Sequence, residues 1–176
     1  MDVFTYMITS VITTHTIRSG SAEAFSLHEK TGIGEKRESA ITYNPTEALY
    51  LLQSGRMKIV NGAKAISNEN AVKKLKKIDS KVEEKCLVYS DLRKQGYLLK
   101  EGLKFGGDFR AYRSIQNKKE EHALWIVQVV SSRDKLDWRE FAAKNRVAHS
   151  TKKKILFALI DSEGDVSYYE VAWMKP

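Results

Sequence analysis

The sequence predicts an α+β protein in which a mixed sheet is packed by helices. Three observations carry that expectation. Residues 124–130 and 155–160 are two nearly continuous apolar runs of strand length, broken in the first only by Gln128. Residues 137–145, between them, have the apolar spacing of a helix. Ahead of both, residues 44–55 form a punctuated helix beside short alternating runs, the mark of a smaller α+β unit.

The elements follow in order. Residues 7–14 read as a strand. Ser19-Gly-Ser21 and Thr31-Gly-Ile-Gly34 read as turns, so that 1–43 alternates strands and turns, and the two glycines are too few for a phosphate loop. Asn44 caps the next helix, Pro45 suits its first position and Gly55 ends it. Residues 56–60 alternate like a strand before the Asn61-Gly62 turn. Ser67 or Asn68 caps a helix running through Lys77, whose lysines 73, 74, 76 and 77 are either a solvated face or a contact to RNA backbone. A further helix spans about 80–95, carries Cys86 as a small buried hydrophobe and stops at Gly96. From residue 97 the pattern turns to strands, 97–100 and then 103–112, in which Gly106-Gly107 marks a close backbone approach or a bulge and residues 109–113 form a strand. Alternation places Arg110 and Tyr112 on the face opposite Phe109 and Ala111. A polar loop, 114–121, leads to His122, and residues 166–173 form a last strand after the turn at 161–165.

Totals narrow the function. A chain of 176 residues makes one medium domain or two small ones. The formal charge of +8, thirty basic against twenty-two acidic residues, favours a polyanionic partner, because each neutralised phosphate releases counterions; a lysine-rich solvated surface is the alternative. No run reaches the roughly 18–20 apolar residues of a membrane span, and the first residues lack a secretory signal, so no membrane partner and a cytoplasmic location are expected. A single cysteine excludes an internal disulfide and a cysteine-rich zinc site.

The chemistry-bearing residues lie between 112 and 153. A phenol (Tyr112), an imidazole (His122) and the ammonium groups of Val147-Ala-His-Ser-Thr-Lys-Lys-Lys154 sit on separate elements. If they converge, they can run acid–base chemistry on a phosphodiester without a metal or other cofactor. Singly each has a plainer role: packing for Tyr112, a loop histidine at His122, surface charge at Lys153.

These residues occur in a wider pattern. Leu87-Val-Tyr-Ser-Asp-Leu-Arg-Lys-Gln-Gly-Tyr97, Gly102-Leu-Lys-Phe-Gly-Gly-Asp-Phe-Arg-Ala-Tyr112, His122, Arg146-Val-Ala-His-Ser-Thr-Lys-Lys-Lys154 and Asp161-Ser-Glu-Gly-Asp165 resemble the archaeal tRNA-splicing endonucleases, as does the final strand with its two tyrosines. The resemblance is strong from about Cys86 to Pro176 and weaker before it, mainly through Glu47-Ala-Leu-Tyr-Leu51. It implies a small N-terminal α+β domain, 1–84, and a C-terminal catalytic domain, 85–176, with a restriction-endonuclease-like mixed sheet flanked by helices. It implies cleavage of precursor tRNA at a bulge–helix–bulge, leaving a 2′,3′-cyclic phosphate and a 5′-hydroxyl. Its Tyr-His-Lys triad falls on Tyr112, His122 and Lys153.

Physical chemistry gives each a role. The ribose 2′-hydroxyl attacks its own phosphorus in line with the departing 5′-oxygen. Free phenol titrates near about 10, so Tyr112 serves as base only if neighbouring cations favour phenolate, and otherwise positions the hydroxyl. Imidazole, near about 6.5, suits His122 as the acid. Lys153 suits the charge on the pentacoordinate phosphorus. The family stacks a bulged base between arginines; Arg146 fits one position, while the other falls on Tyr168, leaving an arginine–tyrosine pair. Ser150 is a candidate phosphate contact, and His149 is either an RNA contact or structural.

Two rivals remain. A metal-dependent nuclease needs carboxylates and a Glu-x-Lys pair, where residues 124–130 offer Gln128 and Val130. A non-catalytic structural or RNA-binding subunit would not need the triad. Two bulges need two active sites, which the family that the chain resembles supplies by homotetramers, by dimers of longer duplicated chains or by two-plus-two heterotetramers. For a chain of this length the resemblance implies a homotetramer, with a heterotetramer containing a separate structural subunit as the alternative. The final strand is suited to pairing with its copy, and Glu120 and Glu121 either dock into a basic pocket of another subunit or are solvated.

Overall fold

The structure is a computed structural model and describes residues 7–14, 16–62, 64–114 and 122–174. The chain divides into two units, Met1–Cys86 and Leu87–Pro176, each with its own sheet, and its class is α+β. The loop glutamates 120 and 121 lie outside the described residues.

The strands of the first unit are β1 (Ile8–Ile12), β2 (Ile17–Ser19), β3 (Glu35–Arg37), β4 (Ala40–Tyr43), β5 (Met57–Asn61) and β6 (Lys64–Ala65). They lie in the order β3-β4-β2-β1-β5-β6. β1 and β5 pair parallel, with Ile8 opposite Met57, and the other pairs are antiparallel. Helix α1 (Ala22–Thr31) connects β2 to β3, α2 (Pro45–Gln53) connects β4 to β5, and α3 (Asn68–Ile78) follows β6.

Helix α2 begins where its cap residues require. The Asn44 side chain accepts from the Glu47 N–H at 2.9 Å, and Glu47 Oε2 accepts from the Asn44 N–H at 3.2 Å, a reciprocal capping box. Its inner face buries Ala48, Leu49, Leu51 and Leu52 among Ile8, Ile12, Ile17, Ile41 and Ile59. Helix α3 buries Ala71 and Leu75, while Lys73 pairs with Glu69 and Lys76 with Glu83 at the surface.

Helix α1 corrects the reading of 1–43 as strands and turns alone. Ser21 caps it by accepting from the Ala24 N–H, and Gly32, at φ 69°, ends it with its N–H on the His28 carbonyl. The residues read as turn punctuation are therefore helix caps. Only Ala24 is fully buried in it, so no sustained apolar stripe announces the helix.

Helix α4 (Val82–Lys94) leads into the second unit. Its strands are β7 (Leu98–Glu101), β8 (Phe109–Tyr112), β9 (Trp125–Ser131), β10 (Lys154–Ile160) and β11 (Val166–Val171), in the order β11-β10-β9-β8-β7. β9 and β10 are parallel and joined through α5 (Trp138–Ser150); the remaining pairs are antiparallel. The sheet is therefore mixed, with β11 at one edge.

Several boundaries differ from expectation. Residues 103–105, which continue the strand pattern in the sequence, form a 3-10 turn, while the strand expected from residue 109 does begin at Phe109. Gly106 adopts φ 76°, and a Cβ on Gly107 would stand 2.3 Å from Ile126 Cγ2, so the glycine pair folds the turn down onto β9. Helix α5 runs past Asn145 to Ser150 because Ala148 continues its buried face. Among the described residues no helix is long and apolar enough to cross a membrane.

Candidate active site

Strand register brings distant parts of the sequence to one end of the second sheet. Trp125 on β9 stands opposite Ala111 of β8 on one side and Lys154 of β10 on the other. Tyr112 and Lys153 therefore lie one residue beyond this row, with backbones about 10 Å apart at two strand spacings. The Leu124 N–H donates to the Ala111 carbonyl at 2.8 Å, so His122 enters the same end two residues before Leu124 and three before β9. The His122 side chain is exposed.

A run of aromatic and cationic groups connects the two sides. The Arg110 guanidinium lies 6.0 Å from the Tyr112 ring centroid and 5.0 Å from that of Phe105, and Lys153 Nζ lies 5.3 Å from the same Phe105 ring. Tyr112 is 7% exposed, packed with Leu98 and Ala123. Phe105 belongs to the 3-10 turn and packs against Ile126, Ala148 and Ile155. Burial first, and the neighbouring Arg110 second, lower the Lys153 pKa from the ordinary lysine value.

The three consecutive lysines do different things. The N–H of Lys152 donates to His149 and that of Lys153 to Ala148, closing α5 with a Schellman turn. Lys152 holds the left-handed position at φ 56°, where glycine is usual. Lys153 Nζ donates to the Thr151 carbonyl at the helix end, 2.9 Å away, a favourable site for a cation. Lys154 begins β10 and pairs with Glu170 of β11.

Asp108 is committed to the sheet: its Oδ2 accepts from the Val129 N–H at 2.8 Å and from Gln128 Nε2 at 3.1 Å. Among the described residues no three His, Cys, Asp or Glu side chains are grouped as a metal site.

The other candidate RNA contacts are not gathered at that sheet end as one set. Arg146 and His149, both exposed on α5, line an open apolar groove of about 560 Å³ with Phe141, Trp173 and Met174. The His149 and Trp173 rings are 4.5 Å apart. Ser150 Oγ donates to the Val147 carbonyl of its own helix. Tyr168 is opposite Ala158, four residues along the strand from Lys154, and its hydroxyl donates to Asp91 Oδ2 at 2.7 Å. Burial and then that carboxylate hold the Tyr168 phenol protonated far above its ordinary range.

Sequence reasoning missed Phe105 and Trp173. For Phe105 the available signal was its place beside a glycine pair, which marks a backbone pressed against its neighbours. Trp173 had none, being read as the end of a strand that stops at Val171.

Residues 12–72 match the family described as tRNA intron endonuclease, N-terminal domain, and residues 82–168 match its catalytic C-terminal domain. Similar curated proteins include the tRNA-splicing endonuclease of Pyrococcus furiosus, 40% identical over 149 residues and 85% of each chain. That of Methanothermobacter thermautotrophicus is 35% identical over 150 residues, 85% of this chain and 87% of the relative. That of Nanoarchaeum equitans is 38% identical over 136 residues, 74% of this chain and 87% of the relative. With both halves matched in order, and relatives aligned along most of its length, the chain belongs to the tRNA intron endonuclease family.

Proposed function

We propose that this chain cuts precursor tRNA at bulge–helix–bulge exon–intron junctions, by a metal-independent attack of the ribose 2′-hydroxyl on the adjacent phosphorus. The products are a 2′,3′-cyclic phosphate and a 5′-hydroxyl. The observation that carries the reading is the run from Tyr112 through Arg110 and Phe105 to Lys153, at the sheet end where His122 enters.

Tyr112 orients the 2′-hydroxyl and takes its proton. His122 donates a proton to the departing 5′-oxygen. Lys153 faces the charge that builds on the non-bridging oxygens, which a preorganised cation stabilises more in the transition state than in the ground state. A splayed bulge supplies the in-line geometry that a duplex denies. In this reading the apolar groove lined by Arg146, His149 and Trp173 accepts an unpaired base by stacking. Ser150 then contacts phosphate only by giving up its bond to Val147, and Tyr168 holds α4 against the sheet through Asp91. The active assembly is a homotetramer with β11, one edge of the second sheet, paired to its copy.

The test is cleavage of a bulge–helix–bulge RNA by the purified full chain in EDTA, with no other protein present. Two cuts and cyclic-phosphate ends are expected. No cleavage until a second subunit is added would favour a structural role, and cleavage abolished by EDTA would favour a metal nuclease.

A further inference from the structure

Arg110 and Lys153 are two cations brought to a single ring. Arg110 lies 5.0 Å and Lys153 5.3 Å from the Phe105 centroid, and neither has a carboxylate partner among the described residues. Like charges this close repel, and the lowered Lys153 pKa reflects that repulsion after burial. Folding nevertheless fixes both. Arg110 Nε donates to the Glu101 carbonyl at 3.0 Å, and Lys153 Nζ to the Thr151 carbonyl at 2.9 Å, which leaves further N–H groups on each cation.

The platform beneath them is rigid for backbone reasons. The Phe105 N–H donates to the Gly102 carbonyl at 2.8 Å, and the Asp108 N–H to the Val127 carbonyl at 2.9 Å. A Cβ on Gly102 would stand 2.8 Å from the Phe109 backbone, as Gly107's would crowd Ile126. Two glycines thus press the turn onto β8 and β9 and set the ring under both charges. Structural cations usually find carboxylates, as Lys154 finds Glu170. Two cations within reach of one aromatic ring, with no carboxylate partner among the described residues, make a site that an anion completes.

We infer that Arg110 is a second phosphate-binding residue, forming with Lys153 a two-cation seat on the Phe105 ring. The inference deepens the endonuclease reading: the planar guanidinium takes a phosphate oxygen at or beside the scissile linkage, while the ammonium neutralises the reacting phosphorus. Phe105 is a positioning residue that acts through both cations.

The experiment uses the full chain and two probes. Inorganic phosphate is titrated while the Phe105 ring and Lys153 are followed by NMR. Binding and single-turnover cleavage of a bulge–helix–bulge RNA are measured across salt concentrations. Arg110→Gln is expected to weaken phosphate binding severalfold and slow cleavage by about 10²–10³-fold, the range for losing one charge-stabilising donor. It also reduces the salt slope of RNA binding by about one. Arg110→Lys restores the slope but only part of the rate. Phe105→Leu keeps both charges and most of the apolar volume, and still weakens phosphate binding. Should Arg110→Gln fail to fold, that variant decides.

Unchanged phosphate binding in Arg110→Gln and in Phe105→Leu would overturn the inference. If the unsubstituted chain cuts RNA, the endonuclease reading survives that failure. Arg110-dependent phosphate binding by a chain that cuts no RNA would support the seat and reject the endonuclease reading.

Discussion

Glu47 in the first unit and Lys153 in the second are both charges drawn away from bulk water, and they are treated oppositely. Glu47, 3% exposed, gives one carboxylate oxygen to the Gly34 N–H and the other to the Asn44 N–H. Its charge is consumed by the fold. The Lys153 ammonium donates to the Thr151 carbonyl at the helix end and shares a ring with another cation. Its charge is positioned and left unneutralised. A buried charge that the backbone satisfies is a structural device; one held beside an aromatic ring that a like charge shares, with no carboxylate partner among the described residues, is not neutralised by the fold.

The comparison can be broken most severely at the second unit. His122→Ala and Lys153→Ala are each expected to reduce single-turnover cleavage by about 10²–10⁴-fold, the range for losing a positioned proton donor or charge. Thermal melting should stay within a few degrees of the unsubstituted chain, because His122 is exposed and, among the described residues, the Lys153 side chain makes one hydrogen bond, while the backbone N–H of Lys153 on Ala148 survives the substitution. A loss of melting temperature as large as the loss of cleavage would make them structural.

Glu47→Ala should show the reverse. It removes the carboxylate that accepts from the Gly34 N–H and half of a capping box, at a cost of about 2–3 kcal/mol in urea unfolding. An unchanged unfolding midpoint would contradict its structural assignment.

Lysine 153 provides a sharper comparison through its proton. Folding depresses its pKa, by burial and by Arg110. Arg110→Gln removes the like charge, so the pKa rises toward the ordinary value, although burial still holds it below. Since a lowered lysine pKa means the folded state binds its proton less tightly than the unfolded state, this residue opposes folding at low pH. That opposition fades as pH rises through the folded and then the unfolded pKa. NMR titration of Lys153 in both chains measures the shift; a fall in Arg110→Gln would refute the arrangement.

The smallest expected effect concerns Lys152. Relieving its left-handed backbone by Lys152→Gly should stabilise the helix end by up to about 1 kcal/mol, seen as a small rise in melting temperature. A clear loss of stability would mean that the lysine side chain makes a compensating contact.

Much of this could be read from residue order. The Asn44-Pro45 start, the Gly55 and Gly96 stops and both apolar strands of the second sheet are local signals, and local signals survive in a sequence. Helix α1 was missed because its caps, Ser21 and Gly32, are also turn residues and its buried face is short. The 3-10 turn was missed because Lys-Phe alternation resembles a strand until the glycines fold it back. Chemistry was less legible than fold. Three consecutive lysines look alike in a string. Only the α5 end, which points Lys153 at Phe105 and Lys154 at Glu170, tells them apart. Likewise, nothing local announces that Tyr168 is tied to Asp91, a residue seventy-seven positions earlier.

The most direct test of the site is a substrate in which sulfur replaces the 5′-oxygen that leaves. A thiolate departs without needing a proton, so an enzyme lacking its general acid should recover on it. The account predicts that His122→Ala cuts the sulfur-bridged bulge–helix–bulge RNA at close to the unsubstituted chain's rate, while Tyr112→Phe remains slow on both substrates. Equal recovery by both variants, or none by His122→Ala, would contradict the roles assigned at this sheet end.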